Sequence, residues 1–224
     1  MTGFPCLRPA STGFIALLFG LLLCHGTAAE TSVPDNPREL VIQVSNEMVQ
    51  ALREQREAIR RDEAIAYRLA ERIVVPHIDF ERIARWVLGK HWRRATEAQR
   101  EAFIKGFEQH LMRTYVSSMI NYTDEILANA DKIDYPPLRD PADSDQVTVR
   151  SRISLPKGGG TAQVDYTMVK TDSGWKIADL AIDGISLALT YRKEFSAQIA
   201  REGIDGLIAR LSERDTKQRL PAGL

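Results

Sequence analysis

Cysteine is almost missing from this chain. Cys6 and Cys24 are the only two, and both lie within the first 29 residues. The rest of the chain therefore forms no disulfide and offers no thiolate, either as a metal ligand or as a nucleophile. Its stability must come from an ordinary core. An excess of one charge is missing too: 30 basic residues face 30 acidic ones. That balance leaves no electrostatic footprint for nucleic acid, and argues equally against an extended anionic surface as the primary partner. Long apolar runs are also absent, with one exception. Phe14–Leu23 is greasy throughout, but it is about half of the ~20 residues a membrane-spanning helix needs.

That run has Arg8 before it and His25-Gly26-Thr27-Ala28-Ala29 after it. A basic start, a short apolar segment and small residues form the pattern of a secretory signal peptide. Cleavage is expected after Ala29, with Thr27 and Ala29 as the small residues the peptidase reads. A lipoprotein signal would want a small residue before Cys24, and Leu23 stands there. The expected organisation is thus a signal peptide over 1–29, one domain over 30–213 and a flexible tail over 214–224. A domain of that length buries roughly 70% of its chain surface.

Helices are expected first and strands second. Asn36-Pro37-Arg38-Glu39 reads as a capped helix start, with Glu39 reaching back. Leu40, Val41, Val44, Met48, Leu52 and Ile59 follow at helical spacing. A short helix carries Ile65, Leu69 and Ile73 and stops before Pro76. Asp79 caps a third, in which Ile83, Trp86 and Val87 point inward and which Gly89 ends. Thr96-Glu97-Ala98-Gln99 is a capping box opening a long helix. One of its stripes runs through Phe103, Phe107, Leu111, Tyr115, Met119, Tyr122 and Ile126. A second, offset stripe holds Ile104, Met112, Val116 and Ile120. Together they are wider than a surface helix needs. Such a helix is either packed on two sides or lines a cavity on one.

After Pro136-Pro137 the period changes to two. Val147, Val149, Ser151, Ile153 and Leu155 alternate with polar residues, as a half-buried antiparallel strand does. Lys157-Gly158-Gly159-Gly160 reads as a hairpin turn, and Ala162, Val164, Tyr166 and Met168 share one face of its partner strand. Thr171-Asp172-Ser173-Gly174 turns the chain again. The next stretch, GWKIADLAIDGISLALTYRKEF, begins as a strand with apolar residues on both faces and ends as a helix. No βαβ alternation occurs. The fold class is therefore α+β: a mostly helical N-terminal half on an antiparallel meander of about four strands, with Ile133 and Tyr135 as a possible edge. Two C-terminal helices, around Leu187–Ala200 and Ile204–Leu211, close it.

Gly184-Ile185-Ser186 resembles a nucleophile elbow. An elbow serine needs a histidine after it in the chain, and all four histidines precede Ser186. The simpler reading is a helix cap. His77-Ile78-Asp79 does not place two ligands on one helical face, and no His-x-x-x-His occurs, so no metal site is expected. Asp79, Asp165, Asp179 and Asp183 each have a simpler role, as a cap or a solvated strand residue, than as an acid pair. No catalytic residue and no cofactor is therefore expected. Lys90-His91-Trp92-Arg93-Arg94 is the strongest basic cluster. It reads either as a solvated loop anchored by Trp92, or as Lys90, Arg93 and Arg94 contacting an anionic head group or a docking partner.

Two long motifs carry a resemblance. The first runs Ile78-Asp79-Phe80, then Val87 through Thr96, then Gln99, Phe103, Phe107, Leu111 and Tyr115. The second is Trp175-Lys176, Asp179, Ile182-Asp183-Gly184-Ile185-Ser186-Leu187, Tyr191-Arg192 and Phe195. In this order, over about Pro37–Leu211, they resemble the MlaC family of periplasmic phospholipid-binding proteins, also called the toluene-tolerance family. One departure is Ala178, where the family often has an aromatic. The resemblance implies a fold related to cystatin- and NTF2-like sheets, with an internal lipid pocket between sheet and helices. It implies phospholipid as cargo, not cofactor, with an outer-membrane lipoprotein complex and an inner-membrane ABC transporter complex as partners. The pocket residues it points to are Phe103, Phe107, Leu111, Tyr115, Val149, Ile153, Val164, Tyr166, Ile182 and Leu187. Two other classes stay open: a periplasmic interaction module with a filled core, and a lipid esterase using Ser186.

Overall fold

The first helix begins where Asn36 folds its side chain over the next turn. Its Oδ1 accepts from the backbone N–H groups of Arg38, at 2.9 Å, and Glu39, at 3.3 Å. Pro37 occupies the first turn, where no N–H is needed. Glu39 does not reach back as expected; its carboxylate takes the Arg38 guanidinium at 2.7 Å. The structure is a computed structural model that describes residues 34–141, 143–154 and 160–219. The expected signal peptide lies outside the described residues, as does the expected hairpin turn except for Gly160.

Six α-helices, three single-turn 3-10 helices and five strands make up the described residues; the long helix ends at Asn121, so Tyr122 and Ile126 of its expected stripe fall beyond it. The α-helices are α1 (Pro37–Arg61), α2 (Ala64–Ile73), α3 (Phe80–Leu88), α4 (Glu97–Asn121), α5 (Thr123–Asn129) and α6 (Leu187–Arg219). The strands are β1 (Ile133–Asp134), β2 (Gln146–Ser154), β3 (Thr161–Thr171), β4 (Gly174–Ile182) and β5 (Ile185–Ser186). They pair in chain order as one antiparallel meander, so the fold is α+β with a fifth, two-residue strand at the far edge. Local chemistry sets the helix starts. The capping box at Thr96 and Gln99 is formed in both directions, and Asp79 Oδ1 accepts from Arg82 N–H at 2.9 Å. Helix α6 is broken at Gly203, whose φ of 72° would strain any side chain. The two expected C-terminal helices meet there, and helical backbone continues to Arg219.

Buried side chains fall into three clusters. One joins α3, α4 and α6 through Val87, Leu88, Phe103, Phe107, Tyr191 and Phe195. Its rings interlock: Phe103 and Phe107 stack at 5.5 Å, and Phe195 meets both edge-on. Such pairs add about 0.5–1.5 kcal/mol each beyond burial. Gly106 lets α6 approach, since a Cβ there would lie 3.1 Å from Leu211 Cβ. A second cluster joins α1, α2 and α4 through Leu52, Ile59, Leu69, Ile73 and Val116. The third lays Leu40 and Val41 of α1 on Val147, Val149, Met168 and Trp175 of the sheet. The Trp175 indole N–H donates to Asp35 O at 2.9 Å and ties the start of the described chain to β4.

Two expectations about facing are corrected. Trp86 is 43% exposed. Ile83, Ala84, Val87 and Leu88 take the buried stripe of α3, and Trp86 falls on the outer side of the same turn. In β4, apolar residues were expected on both faces. The register instead shifts between Thr167 and Met168: Met168 pairs with Ile177, and Thr167 with Asp179. This bulge adds one residue and inverts the alternation after it. Trp175, Ile177, Leu180 and Ile182 therefore share one face, even though their numbers change parity, and the helices cover that face as far as Leu180.

Candidate functional site

The three clusters do not close on one another. Between them lies a cavity of about 220 Å³. Helix α4 supplies its longest wall, with Phe107, Leu111, Met112, Tyr115, Val116 and Met119. Both apolar stripes of that helix contribute, so the expected extra width is spent on the space between them. Ile177 and Leu180 of β4 face it, beside Leu187, Ala188 and Tyr191 of α6. Met48 of α1, Ala70 of α2, Phe80 and Ile83 of α3, and Val74 and Ile78 beside them add the rest of the apolar wall. A cavity lined this way stays dry and is disposed to accept apolar matter.

Asp179 is the one charged side chain among the described residues of the wall. Its carboxylate accepts from Leu180 N–H at 2.8 Å, Ala188 N–H at 3.0 Å and Ser186 Oγ at 2.5 Å. The Ser186 hydroxyl in turn accepts from Leu189 N–H at 3.0 Å. The pair therefore caps the start of α6, where a negative charge is favoured by the helix dipole. Of the two simple roles expected for it, cap or solvated strand residue, Asp179 takes the cap. The bulge at Ala178 aims it at the helix. The Ser186 hydroxyl donates its hydrogen bond to Asp179, and among the described residues no histidine is hydrogen-bonded to it. At the rim, Tyr115 is 38% exposed and its hydroxyl meets that of Tyr191. Burial pushes the Tyr191 hydroxyl above its ordinary range, helped by Tyr115 and Glu194 nearby, so it is neutral at any physiological pH.

Of the ten expected pocket residues, Phe107, Leu111, Tyr115 and Leu187 lie on the wall. Phe103, one turn before Phe107, is fully buried among the aromatic rings. Val149 is fully buried beneath α1, and Tyr166 packs beside it. Ile153, Val164 and Ile182 lie further along the same sheet face, in register beyond Leu180 and off the wall. Lys90, Arg93 and Arg94 are exposed and off the wall as well. The sequence reading did not name the other fourteen residues of the wall as pocket residues, among them Met48, Ala70, Ile83, Ile177, Leu180 and Tyr191. Their spacing marks them as buried, but only the meeting of three clusters marks them as facing a void. The Asp183-Gly184 pair between Ile182 and Ile185 was a legible hairpin signal. Both residues have positive φ, and Ile182 pairs with Ile185 across the turn.

The other candidate sites are accounted for by local contacts. Trp92 sits between Arg85 and Arg100, whose guanidinium carbons lie 5.5 and 5.3 Å from its ring centre. Asp165 accepts from Gln163 Nε2 at 2.9 Å, and Asp183 accepts from Gln163 N–H at 2.8 Å. Among the described residues, no group of three or more histidine, cysteine or acidic side chains is placed to hold a metal ion. No described helix is long and apolar enough to cross a membrane.

Comparison with known proteins gives concordant results. The family model described as MlaC protein matches residues 42–213. Toluene tolerance protein ttg2D of Pseudomonas putida is 23% identical over 177 residues, covering 78% of each chain. The intermembrane phospholipid transport system binding protein MlaC of Haemophilus influenzae is 22% identical over 199 residues, covering 88% of each chain. Among solved structures, a phospholipid-binding protein from Ralstonia solanacearum, in complex with a phospholipid, superposes with a TM-score of 0.70 at 28% identity. The match covers 80% of this chain and 97% of that one.

Proposed function

The chain belongs to the MlaC family, and from that premise we propose that it is a periplasmic phospholipid carrier. It takes lipid between an outer-membrane lipoprotein complex and an inner-membrane ABC transporter complex, and so maintains outer-membrane lipid asymmetry. It performs no catalysis and needs no cofactor. The observation that carries this reading is the cavity: a slot walled almost wholly by aliphatic, methionine and aromatic side chains, with its single carboxylate turned to the start of α6.

The physical need is plain. Each methylene exposed to water costs ~0.8 kcal/mol, so a ~16-carbon tail costs on the order of 13 kcal/mol. Unaided passage across an aqueous gap is therefore slow. A carrier replaces that water with side chains and leaves the head group wet. At about 220 Å³, the slot is smaller than the roughly 300–1,000 Å³ of pockets that enclose a drug-sized ligand. A two-tailed lipid therefore enters with side-chain movement, for which Met48, Met112 and Met119 are suited by their unbranched, adaptable thioethers. Export by a cleaved signal peptide over 1–29 places the carrier in the periplasm.

The test is to purify the protein without detergent from a periplasmic extract, denature it and analyse the organic extract by mass spectrometry. Intact phospholipid in near-stoichiometric amount is expected. A lipid-free protein would favour an interaction module with a filled core. Free fatty acid and lysolipid in place of phospholipid would favour an esterase acting through Ser186.

A further inference from the structure

The outside of the cavity wall carries an unpartnered apolar ridge. Trp86 is 43% exposed, Ile182 43%, Ile185 66% and Leu189 42%. These residues are contiguous. Ile182 and Ile185 pair across the Asp183-Gly184 turn. Ser186 Oγ holds the N–H of Leu189. One turn along α6, the Arg192 guanidinium lies over the Trp86 ring at 5.2 Å. The same strand–helix junction walls the cavity from inside with Leu180, Leu187 and Ala188.

The charge around the ridge is unlike that of the whole chain. Arg82 and Arg85 are paired with Asp79 and Glu81. Arg192 and Lys193 stand beside Leu189, with Glu194 and Asp183 as the nearby acids. Arg192 also packs against Gly89, the residue that opens into the Lys90-His91-Trp92-Arg93-Arg94 segment. The balance of 30 against 30 therefore hides a local excess of cations, and the sequence-level argument against an anionic surface does not hold for this face.

We propose that this face docks the protein on the surface of an anionic phospholipid bilayer. The chemistry is that of the membrane interface. A half-exposed tryptophan suits head-group depth. Short aliphatic side chains at a turn and a helix start enter the acyl boundary, and lysine and arginine behind them meet anionic lipid. Continuity with the cavity wall gives the docking a purpose: it sets the lipid slot against a lipid source. The inference extends the carrier proposal but is read out separately from it.

The experiment is vesicle flotation of the protein recovered from a periplasmic extract. Vesicles are either phosphatidylcholine alone or the same lipid with one third phosphatidylglycerol. The protein is expected to float with the anionic vesicles and far less with the neutral ones. Added salt should release it, and its tryptophan emission should shift to the blue on binding. Arg192→Gln combined with Lys193→Gln should weaken the partition about thirtyfold. Ile185→Asn, at the most exposed position, should weaken it with an unchanged melting temperature. Absence of flotation with anionic vesicles at low salt overturns the proposal and assigns the face to a protein partner. Flotation that both variants retain in full overturns it as well. Phospholipid content, measured on the same samples, keeps the two proposals apart. A lipid-loaded protein that ignores vesicles refutes only the docking, and a lipid-free protein that floats refutes only the carriage.

Discussion

Helix α4 has two halves that look alike in sequence and behave differently in the fold. The first half carries Phe103 and Phe107, fully buried in rings of α6. The second carries Leu111, Met112, Tyr115 and Met119, each half-buried or exposed and all on the cavity wall. Both halves present the same apolar stripe. What differs is what stands opposite. Phe195 and Tyr191 pack their rings against the first half, whereas the second half shares the cavity wall with the small side chains of Ala70 and Ala188. An apolar stripe thus becomes core or container according to the size of its partners.

Substitutions can separate the two halves. The largest effect is expected in the first. Phe103→Ala should cost about 3–5 kcal/mol, as a ring removed from a packed cluster does; chemical denaturation measures it. In the second half, Leu111→Glu should leave a folded protein that no longer co-purifies with lipid, because a carboxylate in an apolar slot excludes tails. Circular dichroism and lipid extraction check the two parts. Unfolding of that variant would mean that the second half is core after all.

The start of α6 gives a smaller contrast. Ser186→Ala removes both hydrogen bonds of the hydroxyl, to Asp179 and from Leu189 N–H, and leaves Asp179 with its two backbone donors, so a loss of ~1 kcal/mol is expected with lipid content unchanged. Loss of transfer in a folded variant would instead make the hydroxyl part of the chemistry. The smallest effect concerns Glu108, on the side of α4 facing Glu71. Burial, with the Glu71 charge, raises its carboxyl above the usual 4.5. The folded state therefore holds this proton more tightly than the unfolded chain, and its penalty is fully present above the folded value. It fades as pH falls toward 4.5. Glu108→Gln should raise the melting temperature slightly at neutral pH, and the gain should vanish below pH 4.5.

The legible parts of the fold were those set by near neighbours in the chain. Asn36, Asp79, Thr96 and Ser186 cap helices because their side chains reach backbone within three residues. The period of two gave the strands from Val147 onward. The illegible parts depend on distant partners. The bulge at Ala178 is visible only in the pairing of β3 with β4, yet it turns Leu180 toward the cavity and Asp179 toward α6. Val149 and Leu111 are both apolar and periodic, but only the docking of α1 on the sheet makes the first core and leaves the second on a wall. Ile182 shares a face with Leu180 and still ends at the surface, because the cavity stops before it reaches the turn.

The central claim is that acyl tails occupy the space beside the second half of α4. The most direct measurement uses a phospholipid with a photoreactive diazirine near the tail end, loaded into the protein, irradiated and mapped by peptide mass spectrometry. Crosslinks are predicted on the segments containing Leu111–Met119 and Leu180–Tyr191. Crosslinks confined to the outward sheet face around Arg150 and Asp165, or spread evenly over the surface, would contradict the account.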